Sequence, residues 1–123
     1  MLKTSILLKK LHSFPSFSHS SVQKICHTPE EALSGLKSGN KVLFGGFGIC
    51  GIPENLIKFL AKSHIKDIWC FSNTCGIETF GLGMLLHAKK VKRFTASYVG
   101  ENKEFERQYL SGELEVEFCP QVG

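Results

Sequence analysis

Apolar positions along the chain switch between two spacings from Thr28 onward. Thr28-Pro29-Glu30-Glu31 has the make-up of a helix start. Thr28 can cap the first turn, Pro29 suits it, and Glu31 completes a capping box. Ala32, Leu33 and Leu36 continue one stripe, and Gly39 ends it. Val42-Leu43-Phe44 is an unbroken apolar run, which predicts a strand buried on both faces. Pro53 opens a second helix with Leu56, Ile57, Leu60 and Ala61 inward. Ile68 to Phe71 predicts a second strand, closed by Ser72-Asn73-Thr74. Phe80 to Lys90 predicts a short helix carrying Leu82, Leu85 and Leu86, with Gly81 and Gly83 working against it. Arg93 to Val99 predicts a third strand. Glu101 to Leu110 predicts a helix, with Phe105 and Tyr109 at i, i+4 and Gly112 as its stop. Leu114, Val116 and Phe118 alternate with Glu113, Glu115 and Glu117, which predicts a strand with one solvated face. Strands alternating with helices over short connections predict an α/β fold: an open parallel sheet with flanking helices and right-handed crossovers.

Composition narrows the function classes. The chain has 123 residues, 42% hydrophobic and 21% charged, as one globular domain should. No apolar run approaches the roughly 18 residues that suggest a membrane-spanning helix, so no membrane partner is expected. Residues 1–29 hold Lys3, Lys9, Lys10 and Lys24 and no acid, while residues 30–123 carry eleven basic and eleven acidic side chains. The net charge of +4 is therefore entirely N-terminal. A nucleic-acid groove needs its charge on the folded body, so no nucleic-acid partner is expected.

The stretch 1–25 is basic, serine-rich and acid-free, which predicts a transit peptide and a mitochondrial matrix location, although it lacks arginine. Processing is expected between Ser18 and Ile25, with residues 26–123 as the body. Five cysteines, Cys26, Cys50, Cys70, Cys75 and Cys119, form no CxxC pair and are expected to be free, buried thiols. The histidines form no HExxH or Cys–His pattern, and no metal is expected. Glu113, Glu115 and Glu117 read as a solvated strand face rather than a metal cluster. Lys89, Lys90, Lys92 and Arg93 read as a solvated connector, with CoA phosphates as the sharper alternative.

Gly46-Phe47-Gly48-Ile49-Cys50-Gly51 matches G-x-G-x-x-G between a strand and a helix. Such a loop turns sharply and bares N–H groups toward an anion or a polarised oxygen. A dinucleotide site would also want a carboxylate ending the next strand. That strand ends Phe71-Ser72-Asn73-Thr74-Cys75 and offers none, so the nicotinamide reading is disfavoured.

The run Val42 to Pro53 contains a GGFxxxGxP element, and it resembles that of the family I coenzyme A transferases. The blocks Ser72-Asn73, Phe80-Gly81-Leu82-Gly83, Ser97 to Asn102 and Phe105 to Glu117 recur in family order. The resemblance covers about residues 26–121 and is closest to family members that move CoA from succinyl-CoA to acetoacetate in ketone-body catabolism. It implies 3-oxoacid CoA transferase chemistry on acyl-CoA and carboxylate substrates, with the CoA thioester as substrate and no cofactor. It also implies homodimers or assemblies of α and β chains.

By the resemblance, Gln121 matches a family glutamine that donates to the oxyanion. Asn73 matches an asparagine beside the substrate in a Ser-Asn-Asn turn, whose second amide is Thr74 here. Gly45, Gly46, Phe47 and Gly48 match the loop beside the active site. The family's nucleophilic glutamate lies in a Glu-Asn-Gly segment of its C-terminal half, and nothing in these residues matches it. The expectation is therefore an N-terminal fragment that is inactive alone and marginally stable. The alternative is a non-catalytic chain that pairs with or modulates a full-length transferase.

Overall fold

The computed structural model describes residues 25–100 and 102–121. Apart from Ile25, the expected transit peptide lies outside the described residues. Eight elements follow in order: α1 (Pro29–Ala32), β1 (Lys41–Leu43), α2 (Glu54–Lys62), β2 (Ile68–Thr74), α3 (Gly83–His87), β3 (Val91–Tyr98), α4 (Lys103–Leu110) and β4 (Glu115–Phe118). The four strands form one sheet in the order β1-β2-β3-β4. Every pair is parallel, as the alternation predicted.

Sequential order has a geometric consequence. Right-handed crossovers that always step the same way lay every helix on the same side of the sheet. The helices accordingly pack in a row, α1 on α2, α2 on α3 and α3 on α4. The row Val42–Cys70–Phe94–Val116 faces them, with Cys70 and Phe94 fully buried. Ile57 and Leu60 from α2, Leu85 and Leu86 from α3, and Phe105 from α4 complete this core. Phe105 meets Phe94 edge-on, with ring centroids 5.6 Å apart.

The opposite face carries Lys41, Trp69, Arg93 and Glu115 in one row and Leu43, Phe71, Thr95 and Glu117 in the next. No described element covers it. The expectation that β1 is buried on both faces is thus wrong: Leu43 is 80% exposed. The strand sits at the sheet edge, over a face that its own crossovers leave open. Order on this face comes from polar bonding instead. Trp69 Nε1 donates to Thr95 Oγ1 at 2.8 Å, and Thr95 Oγ1 donates to Glu117 Oε2 at 3.0 Å. Lys41 and Arg93 lie over the Trp69 ring, 4.3 and 4.1 Å from its centroid.

Local chemistry moves several boundaries. Thr28 Oγ1 caps α1 by accepting from Glu31 N–H, while the Glu31 carboxylate reaches back to His27 N–H. The helix stops at Ala32, well short of Gly39, and the remaining stripe forms turns. The helix expected from Phe80 begins at Gly83, because Gly81 has φ 64°. Asn102 caps α4 by accepting from Phe105 N–H at 2.9 Å. Tyr109 points outward, and the second buried position on α4 is Gln108, whose Nε2 donates to Leu86 O at 2.7 Å.

The glutamates of the alternating strand are more tied down than a solvated face implies. Glu113 accepts from Lys89 and Arg107, and Glu117 accepts from Arg93. Arg107, seconded by Lys89, holds the Glu113 carboxyl at about 2. The basic run is likewise absorbed: Lys90 donates to Ser63 O, and Arg93 is held by Glu117 and Trp69.

Two glycines separate space from conformation. A Cβ at Gly83 would stand 1.8 Å from Ile77 O, a backbone atom, whereas a Cβ at Gly35 would meet nothing within 4 Å. Gly83→Ala should therefore cost about 3 kcal/mol, while Gly35→Ala leaves the urea midpoint unchanged or slightly raised. Equal midpoints for the two variants would refute this account of the 76–83 loop. The uncovered face should also make the chain self-associate. Leu43→Lys should suppress light scattering at high concentration without lowering the melting temperature, and undiminished scattering would locate the sticky surface elsewhere.

Candidate functional site

Three segments meet at the C-terminal ends of the strands, where loops of an open parallel sheet build binding sites. Strand β1 delivers the glycine loop, β2 ends in Ser72-Asn73-Thr74, and Cys119-Pro120-Gln121 follows β4.

The glycine loop is a tight reversal. Phe47 and Cys50 exchange both backbone hydrogen bonds at 3.0 Å around Gly48-Ile49. Gly46, Gly48 and Gly51 have φ of 124°, 60° and 69°, values that side chains rarely adopt. A Cβ at Gly46 would stand 2.6 Å from Ile52 Cγ2 and 3.0 Å from Cys50 O. A Cβ at Gly81 would stand 3.0 Å from Ile52 Cδ1. The Ile52 side chain thus wedges between two glycines and props the loop against the 76–83 segment. Gly48 has open space where its side chain would be. Phe47 and Ile49 are exposed.

The loop is less bare than its composition implies. Phe47 N–H and Cys50 N–H serve each other. Gly48 N–H donates to Asn73 Oδ1 at 3.4 Å, and Asn73 Nδ2 donates to Gln121 Oε1 at 2.9 Å. The three regions singled out in the sequence are therefore one hydrogen-bonded chain, 25 and 48 residues apart in sequence. Gly45 is on the same loop but outside this chain.

Beside it lies a shallow cavity of about 250 Å³. Ser72, Asn73, Thr95, Ser97 and Gln121 supply its polar lining, and Phe71, Ala96 and Pro120 much of its apolar one. No carboxylate and no cation lines it. Neutral donors of this kind suit a carboxylate or thioester oxygen whose charge changes during reaction. The serine hydroxyls were not singled out from the sequence; their only signal is the period-2 placement of Ser72 and Ser97 near strand ends.

The glycine loop does not present a helix N-terminus to a diphosphate. Helix α2 starts after Pro53 with Glu54 in its first turn, and no side chain caps it. A carboxylate there disfavours phosphate. Among the described residues, no cluster of His, Cys, Asp and Glu is placed to hold a metal.

The cysteines divide in two. Cys70 and Cys75 are buried, whereas Cys26, Cys50 and Cys119 are exposed, which corrects the expectation of buried thiols throughout. Burial raises the Cys75 thiol to about 11, and it donates to Val99 O at 2.7 Å, so it is no nucleophile. With the folded chain, a thiol reagent should label Cys26, Cys50 and Cys119 quickly and Cys70 and Cys75 only on denaturation. Fast labelling of Cys75 in the native state would contradict this packing.

Comparison with known proteins agrees with this geometry. The family model described as coenzyme A transferase matches residues 26–123. One of the two named parts of the succinyl-CoA:3-ketoacid coenzyme A transferase of Helicobacter pylori (strain J99) is 53% identical over 100 residues, 81% of this chain and 43% of that one. The human protein succinyl-CoA:3-ketoacid coenzyme A transferase 2, mitochondrial, is 52% identical over 93 residues, 76% of this chain and 18% of that protein. The chain thus spans less than half the length of these relatives. Among solved structures, glutaconate coenzyme A-transferase from Acidaminococcus fermentans superposes with a TM-score of 0.63 at 21% identity, over 76% of this chain and 31% of that one. A variant of the decarboxylase AibA/AibB superposes with a TM-score of 0.61 at 19% identity, over 74% of this chain and 37% of that one. The shared fold therefore extends beyond transferases.

Proposed function

The chain belongs to the coenzyme A transferase family, and from that premise we propose that it supplies the oxyanion-binding half of a 3-oxoacid CoA transferase centre. The observation that carries this reading is the Gly48–Asn73–Gln121 chain, set beside a cavity that no carboxylate lines. Amide donors are gathered here, and the acid that must attack comes from a different segment or chain.

In the proposed reaction, a glutamate carboxylate from that second part attacks the thioester carbonyl of succinyl-CoA. The carbonyl π electrons move onto oxygen, and the oxyanion collapses to expel CoA thiolate, leaving a mixed anhydride. The thiolate then attacks the glutamyl carbonyl and releases succinate, giving an enzyme thioester. Acetoacetate repeats the two steps in reverse and leaves as its CoA ester, restoring the free carboxylate. Dividing the exchange in this way replaces one hard step by easier ones. Each addition places charge on one oxygen, and a preset amide N–H, such as that of Gln121, stabilises it without reorganisation.

The names of the bacterial and human relatives support succinyl-CoA and a 3-ketoacid as the substrates. A mitochondrial matrix location is proposed on the basic, acid-free N-terminus, with support from a family match that starts at residue 26. The chain alone should show no transfer from succinyl-CoA to acetoacetate. Mixed with the complementary part of a relative carrying the glutamate, it should restore transfer. Gln121→Ala should then lower kcat about 10²-fold with KM little changed. Turnover by the chain alone would overturn the two-part reading. Full-rate Gln121→Ala would remove the role of Gln121. Binding to the complementary part without any rescue would favour a non-catalytic partner chain.

A further inference from the structure

Resting on that reading of Gln121, we propose that Asn73 is a positioning residue: it fixes which end of the Gln121 amide meets the substrate and ties that choice to the glycine loop. The Gly48 backbone N–H can only donate. Its bond obliges the Asn73 carbonyl oxygen to face Gly48, at 3.4 Å. The other end of Asn73, Nδ2, can then only donate, and it does so to Gln121 Oε1 at 2.9 Å. Gln121 is left with both Nε2 hydrogens directed away from Asn73. One backbone N–H thereby removes the two-fold ambiguity of two consecutive side-chain amides.

The wrong amide orientation does harm. A glutamine turned end for end would present its carbonyl oxygen to a developing oxyanion, replacing attraction by repulsion. Gln121 is exposed, and packing does not choose its orientation. Pro120 stiffens the backbone just before it, but nothing in that ring selects an amide face. Asn73 makes the selection, and it keeps one N–H and one lone pair uncommitted. Because its carbonyl rests on Gly48, movement of the Phe47–Ile49 tip reaches Gln121 through a single side chain.

Asn73→Asp separates the two halves of this role. The carboxylate still accepts from Gly48 N–H but has no hydrogen for Gln121, so Gln121 must turn its own Nε2 inward. In a 15N,13C-labelled sample, the wild type should show a through-hydrogen-bond coupling between the Asn73 amide nitrogen and the Gln121 side-chain carbonyl carbon. In Asn73→Asp the coupling disappears and the Gln121 NH2 signals move downfield, while the Gly48 backbone signal keeps its hydrogen-bonded position. In the reconstituted enzyme, Asn73→Asp should lose kcat about as Gln121→Ala does, roughly 10²-fold, with KM within about twofold. The double variant should be no worse than Gln121→Ala alone, the mark of two residues acting as one.

Gln121→Glu guards against a simple folding defect. It keeps the bond from Asn73 and removes the outward donor, so it should melt like the wild type and fail in catalysis. Gln121 signals that coincide in the wild type and Asn73→Asp would overturn the proposal, as would losses that multiply in the double variant. If reconstitution yields no transfer with any variant, the transferase reading falls. The spectra of the free chain then still decide whether Asn73 orients Gln121.

Discussion

Everything in this fold descends from one constraint, the right-handed step from each parallel strand to the next. Because the step never reverses, four strands line up in chain order and all the helices collect on one side. The same constraint brings the ends of β1, β2 and β4 out at one rim, although their residues are far apart in sequence. Backbone hydrogen bonding of the sheet therefore acts as the ruler that sets Gly48 against Asn73 and Asn73 against Gln121. It also leaves half of the sheet surface without a hydrophobic cover. Trp69, Thr95, Arg93 and Glu117 organise that surface by polar contacts instead.

The parallel α/β arrangement was legible because each strand and helix carries its own period, and short connections leave little topological freedom. The burial of β1 was not. An apolar run such as Val42-Leu43-Phe44 reads the same at an edge as at a centre, and only the crossover direction distinguishes them. The boundary of α3 was hidden for a related reason. Gly81 and Gly83 look alike in sequence, but one adopts a positive φ and the other lets a backbone carbonyl approach closely. Gln108 escaped notice because a polar residue on a helix face signals solvent, unless a carbonyl such as that of Leu86 waits inside.

The site was legible as a set of residues and not as a circuit. Motif order marked the glycine loop, Asn73 and Gln121, yet nothing in a linear pattern says that an amide bridges to a backbone N–H 25 residues away. Nor does composition reveal that much of the loop's donor capacity is already used within the protein. What looked like a cradle of free N–H groups is closer to a brace. The group turned toward substrate is then the side chain at the end of the line.

The single tryptophan of the chain stands on the uncovered face, held between two cations and stacked 4.9 Å from Phe71, a residue that also lines the cavity. Indole emission is quenched by neighbouring ammonium and guanidinium groups and responds to the polarity around the ring. The fold thus carries a built-in fluorophore at the junction of its open surface and its reaction rim, one that reports by colour and intensity when either becomes occupied.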